Sequence, residues 1–154
     1  MLLALSVISR LIKMRNSGYE FDVIDAHYYF PDGVSAVIVG KFFKKPVVVT
    51  ARGSDINVLS KFLLPRILIK WAIRNASKNI GVCEDLSKKM IELGAPVESV
   101  HTFRNGVDLQ LFSPPLDRSA LRERLGIKRT TLLFVGRLVT VSYTHLTLPT
   151  IYSV

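Results

Sequence analysis

Short apolar runs alternate along this chain with longer segments in which apolar residues recur every three or four positions. Continuous apolar runs of this length are typical of strands that are covered on both faces, and four stand out: Val23-Ile24, Val47-Val48-Val49, Ile80-Gly81-Val82 and Leu132-Leu133-Phe134-Val135. The segments with helical spacing predict helices over residues 34–43, 61–76, 85–93 and 117–125. Strands that alternate with helices predict βαβ units and a parallel sheet.

Local signals indicate where these helices begin and end. Asp32-Gly33 follows Pro31 and predicts the start of the first helix, and Ser60 is a predicted cap for the second. Gly94 predicts the end of the third helix, because glycine readily adopts the left-handed conformation that closes a helix.

The helix predicted over residues 61–76 carries a basic stripe. Three basic residues recur at every fourth position: Arg66, Lys70 and Arg74. Most of the other positions are apolar, including Leu63, Ile67 and Trp71, so the pattern predicts a mostly buried helix. The stripe is either a solvated face or a surface turned to anionic lipid headgroups. We expect Trp71 and Cys83 to pack in the core.

Composition shifts divide the chain into three parts. The segment Ser113-Pro114-Pro115-Leu116 predicts a connector, because its two prolines resist helix and sheet alike. We expect one domain over residues 1–112, and over residues 113–139 the connector with the first helix and strand of a second domain. Residues 140–154 contain no Lys, Arg, Asp or Glu and resemble a translated sequencing adapter, so we interpret them as a non-native tail.

Size and charge bound the function classes. With 154 residues, of which 49% are hydrophobic, the chain can bury the core of one domain. A net charge of +9 favours anionic partners such as phosphorylated substrates, anionic lipids or nucleic acid. The single cysteine excludes an internal disulfide framework and a cysteine-based zinc site, and it fits a cytoplasmic location.

The first fifteen residues predict an amphipathic helix. Arg10 and Lys13 interrupt its apolar stretch, which falls short of the roughly 20 apolar residues that a membrane span needs. The segment also lacks the basic region and the cleavage site of a secretory signal. We therefore expect neither a span nor a signal here.

Polar clusters follow three of the apolar runs and the segment Val100-His101-Thr102-Phe103. In a parallel α/β sheet, ligands bind in the loops beyond the carboxyl ends of the strands, so these clusters are candidate binding elements. They are DAHYYFPDG (residues 25–33), TARGSDIN (50–57), RNGVD (104–108) and Gly136-Arg137.

In this order and at these spacings, the clusters resemble glycosyltransferase family 4, retaining enzymes of the GT-B fold with two Rossmann-like domains. The matching stretches are FDVIDAHYYFPDGVSAV, PVVVTARGSDIN, RNASKNIGVCEDLSKKMIELG, RNGVDLQLFSP and LLFVGRLV, and together they cover roughly residues 21–139. The resemblance implies an α/β fold class: a partial, doubly wound Rossmann-like parallel sheet. It would comprise the later part of the acceptor domain and the first helix and strand of the donor domain.

The chain also departs from the family pattern. Family members normally begin earlier, with a strand and a glycine-rich loop, and they continue through a donor-side lysine and a pair of glutamates. We therefore expect a fragment that is inactive by itself.

The resemblance implies transfer of a sugar from a nucleotide diphosphate donor to an acceptor hydroxyl, with the anomeric configuration retained. No metal ion or other cofactor is expected. A glycan or lipid-linked acceptor, cell-surface polysaccharide synthesis and a cytoplasmic location, peripheral on the inner membrane face, complete the expectation. The chemistry must stabilise a departing diphosphate and a developing oxocarbenium ion, which positive side chains and backbone N–H groups can do.

The resemblance also assigns site residues. Arg52 stands where many family members have a histidine, and because it stays protonated it cannot act as a general base. Its task is either to hold an anion or to pair with Asp55. The acceptor side of the cleft would include His27, Asp32, Gly33, Gly53, Ser54 and Asp55. The donor side or hinge would include Asn105, Gly106, Asp108, Gly136 and Arg137, with Arg137 facing the donor diphosphate. Asn105, Gly106 and Asp108 either contact a ligand or form a structural turn, in which glycine permits a positive φ angle. His27 is likewise either a residue of the cleft or a structural histidine.

Two other function classes stay open at this point. A non-catalytic flavodoxin-like binding or regulatory domain would need a sheet that closes within this chain. A nucleic-acid binder has only the net charge in its favour, since no zinc-finger, RNP-type or helix-turn-helix pattern accompanies it.

Overall fold

The structure, a computed structural model, describes residues 2–131 and contains a sheet of four parallel strands. In chain order they are β1 (Ile24–His27), β2 (Val47–Ala51), β3 (Lys78–Gly81) and β4 (Val100–Thr102), and they lie side by side in the same order. Helical segments connect the successive strands, as in βαβ units. The predicted α/β class with a Rossmann-like parallel sheet is confirmed.

Six α-helices lie within the described residues. They are α1 (Leu2–Asn16), α2 (Val34–Phe43), α3 (Ser54–Asn57), α4 (Leu63–Asn75), α5 (Glu84–Glu92) and α6 (Arg118–Arg124). Shorter helical turns occupy Tyr29–Gly33, Leu59–Lys61 and Val97–Ser99. The helix predicted at the start of the chain and the four later helices are therefore confirmed, with bounds that differ by at most two residues.

The hydrophobic core lies against one face of the sheet. The register pairs Val49 with both Ala26 and Asn79, so these residues share that face, and all three are buried. Val37 of α2, Ile69 of α4 and Met90 of α5 pack in the same cluster and are at most 1% exposed. Three helices thus cover one side of the strands.

The residues that alternate with them point to the opposite face, where several are exposed, although Thr50 is buried. Asp25 and His27 of β1, Lys78 of β3 and His101 of β4 all lie on that side. For these positions, the expectation of strands covered on both faces was wrong, because side chains in a strand alternate between the two faces and the core lies on the other one.

Of the predicted helix boundaries, the start of α4 differs from the prediction and the end of α5 agrees with it. Ser60 does not cap α4, because it lies in the turn Leu59–Lys61 and its hydroxyl donates to the carbonyl of Ile56 at 2.5 Å. Phe62 is the residue that precedes the helix. Gly94 follows α5 with a φ of +105°, which confirms it as the residue that closes that helix.

The first half of α4 is much more exposed than predicted. Leu63 and Ile67 are 78% and 56% exposed, so the expectation of a mostly buried helix was wrong for this half. Trp71 is half-buried and packs against the edge of the core. Cys83 is exposed, which contradicts its predicted place in the core, since it directly precedes α5 at the end of β3.

The chain divides into two compact units, residues 1–106 and residues from 107 onward. In the second unit, the Asp117 carboxylate accepts hydrogen bonds from the N–H groups of Ser119 and Ala120, which explains why α6 begins at Arg118. The predicted strand at 132–135, Gly136, Arg137 and the predicted tail lie outside the described residues. Within residues 2–131, no helix is long and apolar enough to cross a membrane.

Candidate functional site

The carboxyl ends of the four parallel strands bring the polar loops of the first unit to one edge of the sheet. Residues 28–33 follow β1, residues 52–53 follow β2, and residues 103–105 follow β4. We call this set of loops the carboxyl-edge loops. Chain direction alone places them together, as in other parallel α/β sheets.

Asp55 holds two of these loops in place. Its side chain is completely buried, and its Oδ1 accepts from the N–H groups of Arg52 at 3.1 Å and Gly53 at 2.8 Å. Its Oδ2 accepts from the N–H of Tyr29 at 2.9 Å, which joins the loop after β1 to the loop after β2. A carboxylate that accepts several backbone N–H bonds is well compensated for its burial. Asp55 is therefore a structural residue, because its carboxylate oxygens accept hydrogen bonds from backbone N–H groups and join the two loops.

A second polar path runs from Tyr29 into the core. The buried Tyr29 hydroxyl donates to Asn79 Oδ1 at 2.5 Å, and Asn79 Nδ2 donates to Ser99 Oγ at 2.9 Å and to the carbonyl of Ile73 at 3.1 Å. Burial, and to a lesser degree the charge of Asp55, raise the pKa of Tyr29 far above its ordinary value. The phenol therefore stays protonated and acts as a hydrogen-bond donor.

The surface of the edge is formed by Tyr28 and Ser54. Their hydroxyl oxygens lie 2.8 Å apart and share a hydrogen bond between the loops after β1 and β2. Tyr28 has a φ of +84° and Gly53 a φ of +130°, so the backbone is turned sharply on both sides of this contact. For a tyrosine this conformation is unusual, and such positions concentrate at functional sites.

Arg52 reaches across the edge toward the loop after β4. It is exposed, and its Nη1 donates to Asn105 Oδ1 at 3.2 Å. The alternative in which its guanidinium pairs with Asp55 is wrong, because Asp55 bonds the backbone N–H of Arg52 instead. Among the described residues, the guanidinium is thus held by the neutral amide oxygen of Asn105, and the side chain is exposed at the edge of the sheet.

His27 ends β1, and its Nε2 lies 3.4 Å from Asp25 Oδ2, with both side chains at least half exposed. Asp32 is exposed in the turn before α2. Neither side chain converges with Asp55, whose oxygens are turned to backbone N–H groups. Among residues 2–131, no group of three potential metal ligands comes together.

With this geometry in place, the chain can be compared with known proteins. The family model "Glycosyltransferase Family 4" matches residues 1–111. The chain belongs to glycosyltransferase family 4. It is 30% identical over 122 residues to the putative teichuronic acid biosynthesis glycosyltransferase TuaC of Bacillus subtilis, and 28% identical over 131 residues to D-inositol 3-phosphate glycosyltransferase 1 of Catenulispora acidiphila.

Each of these two matches covers 77% of the chain but only 31% and 30% of the relative, so the chain spans about a third of their length. Among solved structures, it resembles Anabaena Alr3699/HepE in complex with UDP and glucose, with a TM-score of 0.54 and 26% identity over 80% of this chain and 32% of that one. The complex of the same protein with UDP-glucose matches equally well. The complex with UDP alone, at 20% identity and a TM-score of 0.59, supports the fold.

Two glycines of this family 4 chain that were assigned to the site differ in what the structure requires of them. Gly33 is buried, and a Cβ there would lie 2.8 Å from Val49 Cγ1, so the close approach of the turn to β2 needs glycine. Gly106 was expected to use a positive φ, and that expectation is wrong: its φ lies outside the left-handed region and a Cβ would meet open space. Gly33 is thus a packing residue, and Gly106 has no such constraint.

Of the remaining assigned residues, Asp108 lies in the second unit of the family 4 chain. Its Oδ1 accepts from the N–H groups of Gln110 and Leu111 at 2.9 and 3.2 Å, so it stabilises a local turn. Gly136 and Arg137 lie outside the described residues, and their predicted donor-side place stays a prediction.

Sequence reasoning missed the roles of Tyr28, Tyr29 and Asn79 in this family 4 chain. Asn79 carried the clearest signal, because it is a polar residue in a strand that is otherwise predicted to be buried, and such a side chain needs partners. The tyrosines follow β1 directly, where polar loop residues approach the ligand edge. Their partners, Ser54 and Asn79, are 26 and 50 residues away in sequence, so only the fold brings them together.

Proposed function

We propose that the protein containing this chain transfers a sugar from a nucleotide diphosphate sugar to a glycan or lipid-linked acceptor, with retained anomeric configuration, in cell-surface polysaccharide synthesis. The observation that carries the proposal is the pairing of family 4 membership with an exposed arginine at the carboxyl edge of the sheet. UDP-glucose as the ligand of a structural neighbour favours a nucleotide sugar as donor, and teichuronic acid synthesis by a relative favours a polysaccharide product.

The proposed chemistry separates the two halves of the reaction. A nucleoside diphosphate leaves the anomeric carbon while positive charge develops on the sugar ring. The site must therefore stabilise the negative charge of the leaving diphosphate and exclude competing water. A guanidinium offers a planar fork of donors that matches phosphate or carboxylate oxygens. We assign Arg52 to electrostatic binding of such an anion, on the donor phosphate or on the acceptor.

The other assigned residues support this edge in different ways. Asp55 and Gly33 fix the backbone of the two loops, whereas His27, Ser54 and Asp32 are exposed and available to acceptor hydroxyls. Asn105 orients the guanidinium of Arg52. We propose that Gly136 and Arg137 contribute from the donor side, and that no metal ion or cofactor takes part.

The proposal also covers location. A nucleotide sugar is a cytoplasmic metabolite, so we propose that the protein acts in the cytoplasm, on the inner face of the membrane when its acceptor is lipid-linked. The net charge of +9 suits an anionic surface.

The test is Arg52→Ala in a form of the protein that spans the full length of its family relatives. We expect turnover of a UDP-sugar to fall on the order of 100-fold, as when one donor to a developing oxyanion is removed. The free energy of unfolding should change by less than about 1 kcal/mol, because the hydrogen bond to Asn105 is exposed. Donor consumption is measured by release of UDP, and stability by urea unfolding.

Asn105→Ala is the matched control, since it removes the partner and leaves the guanidinium. It should lower turnover much less than Arg52→Ala. Equal losses of turnover and stability in Arg52→Ala would instead assign Arg52 a structural role. If the full-length protein neither hydrolyses nor transfers sugar from any UDP-, GDP- or ADP-sugar, the transferase proposal itself is refuted.

We further propose that the 154-residue chain by itself does not turn over nucleotide sugars, because it matches only about a third of the length of its relatives. UDP release by the purified chain above the buffer rate, across a panel of UDP-sugars, would contradict this.

A further inference from the structure

The outward surface of α4 carries two adjacent rows of side chains that the candidate site does not use. One row is apolar and follows every fourth position through Leu63, Ile67 and Trp71, and the next row is basic: Arg66, Lys70 and Arg74. The apolar row is exposed at its start, where Phe62 and Leu64 add to it, at 59% and 65% exposure. We call Phe62, Leu63, Leu64 and Ile67 the apolar tip of α4.

Within the segment that carries this tip the charge has a single sign, and Asp32 is the one acid in the turn Tyr29–Gly33, against which α4 packs. Residues 56–83 contain no aspartate or glutamate, and their five basic residues are Lys61, Arg66, Lys70, Arg74 and Lys78. Lys61 and Arg66 are exposed beside the tip, and Lys41 of α2 extends the positive surface, with its Nζ 5.1 Å from the centre of the Trp71 ring. Exposed apolar side chains next to cations, without acids between them, are typical of helices that lie in the interface of an anionic membrane.

The position of the tip in the fold relates it to the candidate site. α4 leads into β3, which is parallel to β2, so α4 runs back along the sheet and begins at its carboxyl edge. In the sequence α4 follows α3, which contains Asp55, the residue that joins the loops after β1 and β2. The helix also packs against the turn Tyr29–Gly33. The apolar tip therefore lies at the same edge as Arg52 and Ser54.

We propose that the apolar tip of α4 inserts into an anionic phospholipid bilayer, with Lys61, Arg66 and Lys70 bound to lipid phosphates. Apolar side chains enter the boundary between headgroups and acyl chains, while long basic side chains reach the phosphate level. This contact orients the carboxyl edge toward the membrane, where a lipid-linked acceptor would lie. It thereby deepens the proposed function, but the binding itself depends on no sugar transfer.

The experiment measures binding of the full chain to vesicles of phosphatidylcholine alone or with 30 mol% phosphatidylglycerol. We expect cosedimentation with the anionic vesicles only. The double variant Arg66→Ala/Lys70→Ala should weaken binding on the order of 25-fold, from about fivefold for each basic residue near the surface. Leu63→Ser/Ile67→Ser should weaken it at least tenfold, since each side chain loses its apolar contact with lipid.

Two matched controls alter other helices. Lys13→Ala/Lys88→Ala removes the same charge from α1 and α5, and Leu2→Ser/Leu5→Ser removes two leucines of α1 that are 86% and 60% exposed. Both should bind nearly as the parent does. A reporter variant, Phe62→Trp in a Trp71→Phe background, carries its only tryptophan at the tip, and brominated lipids should quench its fluorescence.

Several results would overturn the proposal. They are equal binding to neutral vesicles, no quenching of the tryptophan at position 62, and losses in the controls that equal those of the α4 variants. A monomer–dimer equilibrium that the α4 variants abolish would show that a second copy covers the tip instead. Because the assay contains no donor or acceptor, failure here leaves the transferase proposal intact, and failure of transfer leaves the membrane contact intact.

Discussion

At the scale of single residues, Asp55 shows how a site-like pattern can have a structural cause. In sequence, the cluster Arg52-Gly53-Ser54-Asp55 has a positive and a negative side chain three residues apart, which suggested an ion pair. In the fold, the carboxylate is completely buried and receives three backbone N–H groups from two loops. Backbone donors were available at short range, so the guanidinium was left free to extend outward.

Substitution of Asp55 should therefore destabilise the fold. In Asp55→Asn, an amide NH₂ replaces one acceptor oxygen and opposes a backbone N–H, so we expect a loss of about 1–3 kcal/mol in the free energy of unfolding, measured with urea. Asp32→Asn is the control, because that carboxylate is exposed, and its effect should stay within about 0.5 kcal/mol. Equal effects of the two substitutions would contradict the structural role of the Asp55 carboxylate.

Tyr29 gives a prediction on pH. Its pKa is raised in the folded state by burial and by Asp55, whereas in the unfolded chain it returns to about 10. Above that pH the unfolded state loses a proton that the folded state keeps. The contribution of Tyr29 to the free energy of unfolding should therefore be fully present below about pH 10 and should fall as the pH rises further. Urea unfolding of the parent and of Tyr29→Phe at several pH values between about 8 and 11 checks this.

Tyr29→Phe should be less stable than the parent at pH 8, by about 1–3 kcal/mol, because Asn79 Oδ1 loses its buried donor. The parent should lose stability more steeply above pH 10 than this variant does. Parallel pH profiles for the two proteins would mean that Tyr29 is not the group responsible.

At the scale of elements, the spacing of apolar residues predicted where the helices and most of the described strands lie. The four later helices formed where apolar residues recur at helical spacing, and β1, β2 and β3 formed at or beside the apolar runs, whereas β4 formed at residues 100–102, which were not among those runs. Periodicity failed for the first half of α4, because a helix with apolar residues on all sides gives no sign of which side meets the core. Leu63 and Ile67 lie on the outward rows, whereas Ile69 and Ile73 face inward and are fully buried.

The candidate site was predicted in part for a similar reason. Strand direction alone put the loops at one edge, which the alternating βα pattern already implied. The partners within the edge could not be derived, because Arg52 and Asn105 are 53 residues apart and Tyr29 and Asn79 are 50 apart. The need for glycine at position 33 depends on the distance between the turn and β2, and no sequence pattern contains that distance.

A pair of glycine substitutions tests this packing. Gly33→Ala should destabilise the chain by about 1–3 kcal/mol, because the new Cβ would lie 2.8 Å from Val49 Cγ1 in a closely packed core. Gly106→Ala, with open space around it and no left-handed φ, should change the free energy of unfolding by less than about 0.5 kcal/mol. Urea unfolding of both variants makes the comparison, and the reverse ranking would contradict it.

At the scale of the whole molecule, the described part of the chain exposes one face and both edges of its sheet. One face of the sheet presents Asp25, His27 and His101 to solvent, and the outer edges of β1 and β4 have no strand partner among the described residues. Unpaired strand edges promote association between copies.

We therefore expect the purified chain to associate at micromolar concentration despite its net charge of +9. Static light scattering coupled to size-exclusion chromatography should give a mass above that of the 17.3 kDa monomer. A monodisperse monomer with a single sharp unfolding transition would contradict this expectation.

The order of the strands has a consequence for how the molecule is made. Because β1, β2, β3 and β4 neighbour one another in the order of synthesis, each strand that leaves the ribosome meets an edge that is already in place. Among these four strands, none has to wait for a later one before it can pair with its neighbour. The sheet can therefore grow outward one βα unit at a time during translation, and the tyrosine at position 29 acquires its asparagine partner only when the third strand is added.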